Sequence, residues 1–127
     1  ERDIARKLGV ARYNFPLNGD GTGDIVQYAN AVEAMVDSQR AFKPVLVHCH
    51  TGSQRTGATI AFYRLLVQKK RPQEVYDELL YWEHDPDENA KLIPYVNEHI
   101  EQLANMLKQR GVIDEIPMHI PKLAMAR

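Results

Sequence analysis

The sequence predicts an α/β domain in which a parallel-type sheet is flanked by helices and the C-terminal half is helical. Two short segments rich in β-formers, residues 11–15 and 45–47, lie on either side of an amphipathic helical segment. A helix between two strands makes a βαβ unit, whose strands run parallel and side by side. Beyond the second strand the apolar residues follow helical spacing, and a chain of 127 residues suits one compact domain.

The N-terminal third is expected to contain a short amphipathic helix over residues 1–8, the first strand, and a loop. Pro16 ends the strand, and residues 17–23 form a loop because three of these seven residues are glycines. Asp24 is placed to cap the next helix, since its carboxylate can accept hydrogen bonds from the free N–H groups of the first turn. That helix should end before Pro44.

Helices are predicted over residues 58–70 and 72–83, and a long helix follows the break at residues 85–87 and ends before Gly111. Pro94 leaves the start of this last helix open. Residues 1–111 are therefore predicted to be a single domain, and residues 112–127 a tail that forms an edge strand or docks on the domain. Because two strands alone make a marginal sheet, we expect the chain to begin inside its domain.

Composition excludes several classes of function. Sixteen basic and seventeen acidic residues give a formal charge of −1, so no global field favours nucleic acid or an anionic membrane. No apolar run is long enough to span a bilayer or to act as a secretory signal. The single cysteine excludes an intrachain disulfide, which is typical of a reducing, cytoplasmic setting.

Residues 45–57 carry the strongest functional signal, with the pattern strand, loop, helix. Cys49 follows the strand and faces the loop that opens the helix, where free N–H groups and the positive helix end converge. Such a site binds anions and lowers the pKa of a thiol to about 3.5–7.5, which makes the sulfur a nucleophilic thiolate. Arg55 presents a planar fork of donors suited to two oxygens of a phosphoryl group.

The pattern His48-Cys49, five further residues, then Arg55-Thr56-Gly57 resembles the signature of cysteine-dependent protein tyrosine phosphatases. The small dual-specificity branch is the most similar, and the Trp-Pro-Asp acid loop of the larger tyrosine phosphatases is absent. The resemblance covers residues 11–83, and the C-terminal helical part follows the family only loosely. It implies hydrolysis of phosphomonoesters through a phosphocysteine intermediate.

The resemblance assigns roles to the residues of this signature. Cys49 attacks phosphorus, and Thr56 donates its hydroxyl to the sulfur as the intermediate breaks down. His48 supports the loop by bonding backbone carbonyls. The oxygens of the phosphoryl group are held by Arg55 and by the loop N–H groups of His50, Thr51, Gly52, Ser53, Gln54 and Arg55.

Simpler structural roles exist for the same residues. Cys49 alone is compatible with a buried structural cysteine, Arg55 with a surface ion pair, and Thr56 with a plain helix cap. His48, Cys49 and His50 look like metal ligands, but successive strand side chains point to opposite faces and no second cluster has zinc spacing. No metal and no cofactor is therefore expected.

The leaving oxygen needs a proton, which this family takes from an aspartate on a loop upstream of the cysteine. Asp20 and Asp24 are the candidates. Asp20 is preferred because it lies in a glycine-rich loop after a strand and resembles the Asp-Gly acid loops of dual-specificity members. Asp24 is better explained as a helix cap.

Two other functions compete with phosphatase activity. A rhodanese-like sulfurtransferase also uses an anion-cradling cysteine loop, but Arg-Thr-Gly at this place belongs to phosphatases. A non-catalytic pseudophosphatase would bind phosphate only. The predicted substrates are phosphorylated proteins or small phosphomonoesters, with phosphotyrosine or mixed phosphoproteins ahead of inositol phosphates because the loop lacks lysines. Neither nucleic acid nor a membrane is a predicted partner.

Overall fold

A computed structural model describes residues 13–18, 20–47, 54–82, 85 and 90–123, and this part of the chain is helical. The expected helix over residues 1–8 lies outside it. The described elements are α1 (Ile25–Arg40), α2 (Gln54–Phe62), a π-helical segment (Tyr63–Val67), α3 (Pro72–Tyr81) and α4 (Leu92–Gln109).

The predicted α/β class with a parallel-type sheet is wrong, because no strand forms within the described ranges. Residues 13–15 and 43–47 have irregular backbone there. Strands need neighbours that satisfy their N–H and C=O groups and a surface that covers one face. No partner strand for residues 45–47 lies within the described ranges, and Val45 and Leu46 are 50% and 84% exposed. The β-forming composition of residues 45–47 therefore does not by itself indicate that they pair as a strand.

Helix α1 follows the sequence prediction closely. The Asp24 carboxylate accepts a hydrogen bond from the amide of Val26 at 2.9 Å, which confirms Asp24 as the N-cap. Arg40 in the last turn stabilises the negative end of the helix, and the helix stops before Pro44 as expected. One face is buried, and it carries Ile25, Tyr28, Ala29, Ala31, Val32, Met35 and Val36.

The core lies where α1, α2 and α4 meet. Phe62 of α2 and Tyr28 of α1 are fully buried, and their rings make an edge-to-face contact with centroids 5.2 Å apart. Helix α4 contributes the longest apolar stripe, with Leu92, Ile93, Val96, Ile100, Leu103, Ala104 and Leu107. Helix α2 begins at Gln54. The sequence prediction started this helix four residues later, because its first turn carries no apolar pattern.

Helices α2 and α3 are joined by a short connection after the π-helical segment. Pro72 takes the first position of α3, where its missing N–H is not needed. Leu79 near the far end of α3 lies against the first turn of α2, since a Cβ on Gly57 would be 3.2 Å from Leu79 Cδ2. Because the connection is short and the contact lies at the far end, α3 runs back along α2.

Helix α4 starts at Leu92, which places Pro94 in its first turn, where amides have no intrahelical acceptor. It ends at Gln109, and Gly111 follows with φ of 73°, as expected for the stop. The tail packs on the helices through buried Val112, Ile113 and Leu123. In the part of the chain that the model describes, no helix is long and apolar enough to cross a membrane.

Candidate functional site

The first turn of α2 carries three of the predicted site residues. Gln54 is buried, while Arg55 and Thr56 are half-buried. Arg55 Nε and Thr56 Oγ1 are shielded from solvent and have no hydrogen-bond partner among the described residues. The amides of this turn have no intrahelical acceptor within the described ranges, and the helix dipole makes its start electropositive. Oriented donors and positive charge therefore coincide at this end of α2.

The other signature residues lie outside the described part of the chain. These are His48, Cys49, His50, Thr51, Gly52 and Ser53. The nucleophile, the supporting histidine and most of the phosphate-binding loop therefore remain predictions from the sequence. Among the described residues, no three His, Cys, Asp or Glu side chains come together as a metal site.

Residues 20–24, called the Asp20 loop here, form a tight turn before α1. The amide of Asn18 donates to Thr22 O at 2.9 Å, and the amide of Gly21 donates to Asn18 O at 3.1 Å. Gly21 has φ of 91°, a conformation that side-chain-bearing residues rarely adopt. The loop thus depends on glycine for its path, as its composition indicated.

The Asp20 loop touches the start of α2. A Cβ placed on Gly21 would lie 3.3 Å from the carbonyl oxygen of Gln54 and 3.5 Å from Leu92 Cδ1. Asp20 directly precedes Gly21 in the chain, and Arg55 directly follows Gln54. Although they are far apart in sequence, the two predicted site segments therefore meet at one end of the helix bundle.

The Asp20 carboxylate is held within its own loop. Oδ1 accepts from the Thr22 hydroxyl at 2.6 Å and from the Thr22 amide at 3.0 Å. These bonds, the hydroxyl foremost, hold the pKa of Asp20 below its usual value, and the Lys91 charge adds to them against the opposing effect of burial. In the free protein Asp20 is therefore a carboxylate at neutral pH.

Lys91 approaches the same carboxylate from the residue before α4. Its Nζ lies 3.5 Å from Asp20 Oδ2, and 74% of the lysine side chain is exposed. Exposed pairs of this kind contribute about 0–1 kcal/mol, so Lys91 biases the charge of Asp20 more than it stabilises the fold.

Sequence reasoning missed Lys91, Thr22, and the hydroxyl contacts of two tyrosines with this loop. Tyr28 donates to Gly21 O, and Tyr95 donates to Gly23 O at 2.6 Å. Tyr28 lies on the predicted apolar face of α1, but that pattern says nothing about its hydroxyl. Lys91 and Tyr95 are about seventy residues from the loop, and no local signal connects them to it. Thr22 alone had a local signal, since an aspartate side chain favours an Asx turn in which it accepts from the amide two residues on, as Asp20 does here.

Asp24 is occupied by its capping bond, and its replacement tests the distinction between the two aspartates. Asp24→Ala removes the acceptor for the Val26 amide, so we expect a loss of about 0.5–2 kcal/mol in the free energy of unfolding. Chemical denaturation of variant and wild type measures this loss. Aryl phosphatase activity below the melting temperature should be mostly retained; a leaving-group-dependent fall in kcat would instead make Asp24 the acid.

The family model for protein-tyrosine phosphatases matches residues 14–84, which is just over half of the chain. The chain therefore belongs to the protein-tyrosine phosphatase family, as the signature predicted. Membership supports a phosphatase, a hydrolase whose substrates are phosphorylated. No curated protein and no solved structure matched the chain.

Proposed function

We propose that this chain is a phosphomonoesterase of the tyrosine or dual-specificity type that works through a phosphocysteine on Cys49. The observation that carries the proposal is the family match over residues 14–84, which spans Asp20, Cys49 and Arg55 together. The contact between the Asp20 loop and the first turn of α2 supports it, because an acid and a phosphate site must face the same substrate.

Arg55 binds the phosphoryl group in this proposal. Its Nε is shielded from water and lacks a partner among the described residues, which is unfavourable for a guanidinium unless an anion or another acceptor is supplied. A phosphoryl group offers two oxygens in the geometry of the guanidinium fork. The positive start of α2 adds to the attraction, since the surrounding amides are aligned along the helix axis.

The reaction proceeds in two displacements. The Cys49 thiolate forms a bond to phosphorus as the bond to the ester oxygen breaks, and Asp20 transfers its proton to the departing alkoxide or phenoxide. Water then attacks the phosphocysteine, Asp20 takes up one of its protons, and the thiolate and inorganic phosphate are released. Thr56, whose Oγ1 is shielded at the start of α2, donates a hydrogen bond to the departing sulfur.

The substrates fitting this proposal are phosphotyrosine peptides, phosphoproteins of mixed specificity, or small aryl phosphates. The loop residues His50, Thr51, Ser53 and Gln54 carry no lysine. Multiply phosphorylated inositol headgroups would lack a second cationic contact there. Comparison of kcat/KM on phosphotyrosine, phosphoserine and inositol phosphate substrates decides among these classes.

Turnover of an aryl phosphate in the presence of a chelator tests the proposed function. We expect activity to persist in EDTA and to be blocked by vanadate, because the chemistry requires a thiolate and an oxyanion site rather than a metal. Activity that disappears in EDTA and returns with a divalent ion would point to a metallophosphatase. Sulfur transfer from thiosulfate without phosphate release would favour the rhodanese-like alternative. Phosphate binding without turnover of any ester would leave a pseudophosphatase.

A further inference from the structure

Two buried tyrosines from different helices bind the Asp20 loop. Tyr28 in the first turn of α1 donates its hydroxyl to Gly21 O, and Tyr95 in the first turn of α4 donates to Gly23 O at 2.6 Å. Gly21 and Gly23 flank Thr22, which in turn binds the Asp20 carboxylate. The two phenols therefore hold the backbone on both sides of the residue that orients Asp20.

Among the described residues, the hydrogen bonds that join the loop backbone to the helical core come from these two hydroxyls, in addition to the bonds within the loop. Gly21 and Gly23 have φ of 91° and 139° and carry no side chains to pack. Glycine has more conformational freedom to lose than any other residue, so a glycine-rich loop is held mainly by what its backbone binds. Backbone carbonyls inside a protein need a donor, and here the donors come from the helical core.

Both phenols are themselves fixed by packing. Tyr28 is fully buried against Phe62, and its ring also meets that of Tyr95, with centroids 5.7 Å apart. On its other side Tyr95 stacks on His99 at 4.0 Å, and His99 Nδ1 lies 2.9 Å from the Tyr95 carbonyl oxygen. The pair of hydroxyls is thus presented to the loop by rings whose rotamers are constrained.

Tyr95 remains a hydrogen-bond donor at any pH at which the domain would be assayed. Burial, together with the nearby negative charge of Asp24, raises its pKa to about 12. The bond to Gly23 O is therefore independent of pH in the range where Asp20 and a phosphate ester titrate.

We propose that Tyr28 and Tyr95 are positioning residues for the general acid, which hold the Asp20 loop against the first turn of α2. The inference rests on the proposed function, because it assigns the tyrosines a role through Asp20. Catalysis by a side chain on a loop depends on its placement, and an error of about 1 Å can lower a rate by about 10²-fold. The hydroxyls act on the backbone of the loop and do not touch the substrate.

Tyr28→Phe and Tyr95→Phe test this role, because each removes one hydroxyl and keeps the ring. Two aryl phosphates are compared, phenyl phosphate with a poor leaving group and para-nitrophenyl phosphate with a good one. We expect kcat on phenyl phosphate to fall by up to about 10²-fold, and kcat on para-nitrophenyl phosphate to fall much less, since a good leaving group needs less protonation. A uniform loss of stability or of active protein would lower both rates equally.

Tyr63→Phe is the matched control. Tyr63 is also buried, and its hydroxyl donates to Gln39 near the far end of α1. Gln39 lies eleven residues beyond Tyr28, which is about 16 Å along the helix. This variant should leave the ratio of the two kcat values unchanged. If Tyr28→Phe is unfolded at the assay temperature, Tyr95→Phe, whose hydroxyl lies nearer the surface, decides the question.

A double-mutant cycle separates failure of this inference from failure of the proposed function. If the tyrosines act through Asp20, then Tyr95→Phe should lower kcat on phenyl phosphate in the wild-type background and have little effect in an Asp20→Asn background. Equal losses in both backgrounds, or an unchanged ratio in all three tyrosine variants, overturn the positioning role and leave Asp20 as the acid. If Asp20→Asn itself behaves like wild type, the acid assignment fails and the positioning role with it.

Discussion

A Cys49→Ser variant is expected to lose turnover of aryl phosphates to background while still binding them. Serine is close in size to cysteine, but its hydroxyl is not ionised at neutral pH, whereas a thiol beside a helix start is a thiolate. In the proposed mechanism, oxyanion binding depends on Arg55 and the loop amides, which the substitution leaves in place. Release of para-nitrophenol measures turnover, and calorimetric titration with vanadate or a phosphotyrosine peptide measures binding.

Alkylation provides a second test of the same nucleophile, because Cys49 is the single cysteine of the chain. Iodoacetate should modify one site, inactivate the protein in step with modification, and react faster above the pKa of the thiol. Phosphate should slow the reaction by occupying the adjacent oxyanion site. Appreciable turnover by Cys49→Ser, or full activity after stoichiometric alkylation, would contradict the proposed mechanism.

The helices were predictable because their signals are local. Asp24 offers a carboxylate two residues before the amide that it caps, and Gly111 supplies a left-handed backbone after the long helix. The apolar stripes of α1 and α4 recur at helical spacing, so their buried faces follow from the sequence. The start of α2 was predicted four residues too late because Gln54, Arg55 and Thr56 are polar and carry no apolar helical pattern.

Sheet formation could not be predicted in the same way, because a strand needs hydrogen-bonding partners from other segments of the chain. Val45, Leu46 and Val47 have the side chains of a buried strand, yet ladder bonds require partner backbone that the sequence of one segment does not specify. The exposure of Val45 and Leu46 shows that apolar composition alone does not produce burial. The strand-forming residue types of this segment were recognised correctly, but its burial was predicted wrongly.

The candidate site shows the same difference between features with a local sequence signal and features that depend on distant residues. The signature from Cys49 to Gly57 is a contiguous pattern, and it correctly predicted the family. The contacts around Asp20 join residues about seventy positions apart, such as Lys91 with Asp20 and Tyr95 with Gly23. Such pairs depend on how α4 packs against α1 and α2, and hence on the three-dimensional structure.

Asp20→Asn is expected to lower kcat on phenyl phosphate by about 10²- to 10⁴-fold, the usual contribution of general acid catalysis. Asparagine keeps the size of aspartate and can still accept the Thr22 bonds, but it has no proton to give. On para-nitrophenyl phosphate the defect should shrink, because that leaving group departs without full protonation. Steady-state kinetics on the two esters measures both values, and Asp24→Asn, which lies four residues away in the same segment, is the matched control.

The pH profile gives a sharper test of the proposed acid role, since the surroundings of Asp20 lower its pKa and so favour the deprotonated form. Thr22 and Lys91 hold the pKa of Asp20 below its usual value, so the protonated fraction in the free protein grows only as the pH falls. For the wild type, kcat/KM should therefore decline as the pH rises from acidic values to neutrality, and this falling limb should be absent in Asp20→Asn. The effect on folding stability runs in the opposite direction. Because the pKa of Asp20 is lower in the folded than in the unfolded state, its stabilisation is present above the unfolded-state pKa and is lost as the pH falls through the folded-state pKa.

Thr22→Val separates the effect of the Thr22 hydroxyl from that of the carboxylate itself. Removing the hydroxyl abolishes the 2.6 Å bond that contributes most to lowering the pKa of Asp20, while the amide bond at 3.0 Å remains. The pKa of Asp20 should rise, and the falling limb of kcat/KM should move to higher pH, so that more of the acid is protonated near neutrality. An unmoved limb in Thr22→Val would contradict control of the Asp20 pKa by the hydroxyl. A limb that persists in Asp20→Asn and vanishes in Asp24→Asn would transfer the acid role to Asp24. A limb that moves as expected would show that the hydrogen bonds within the loop set the pH at which the proton is available.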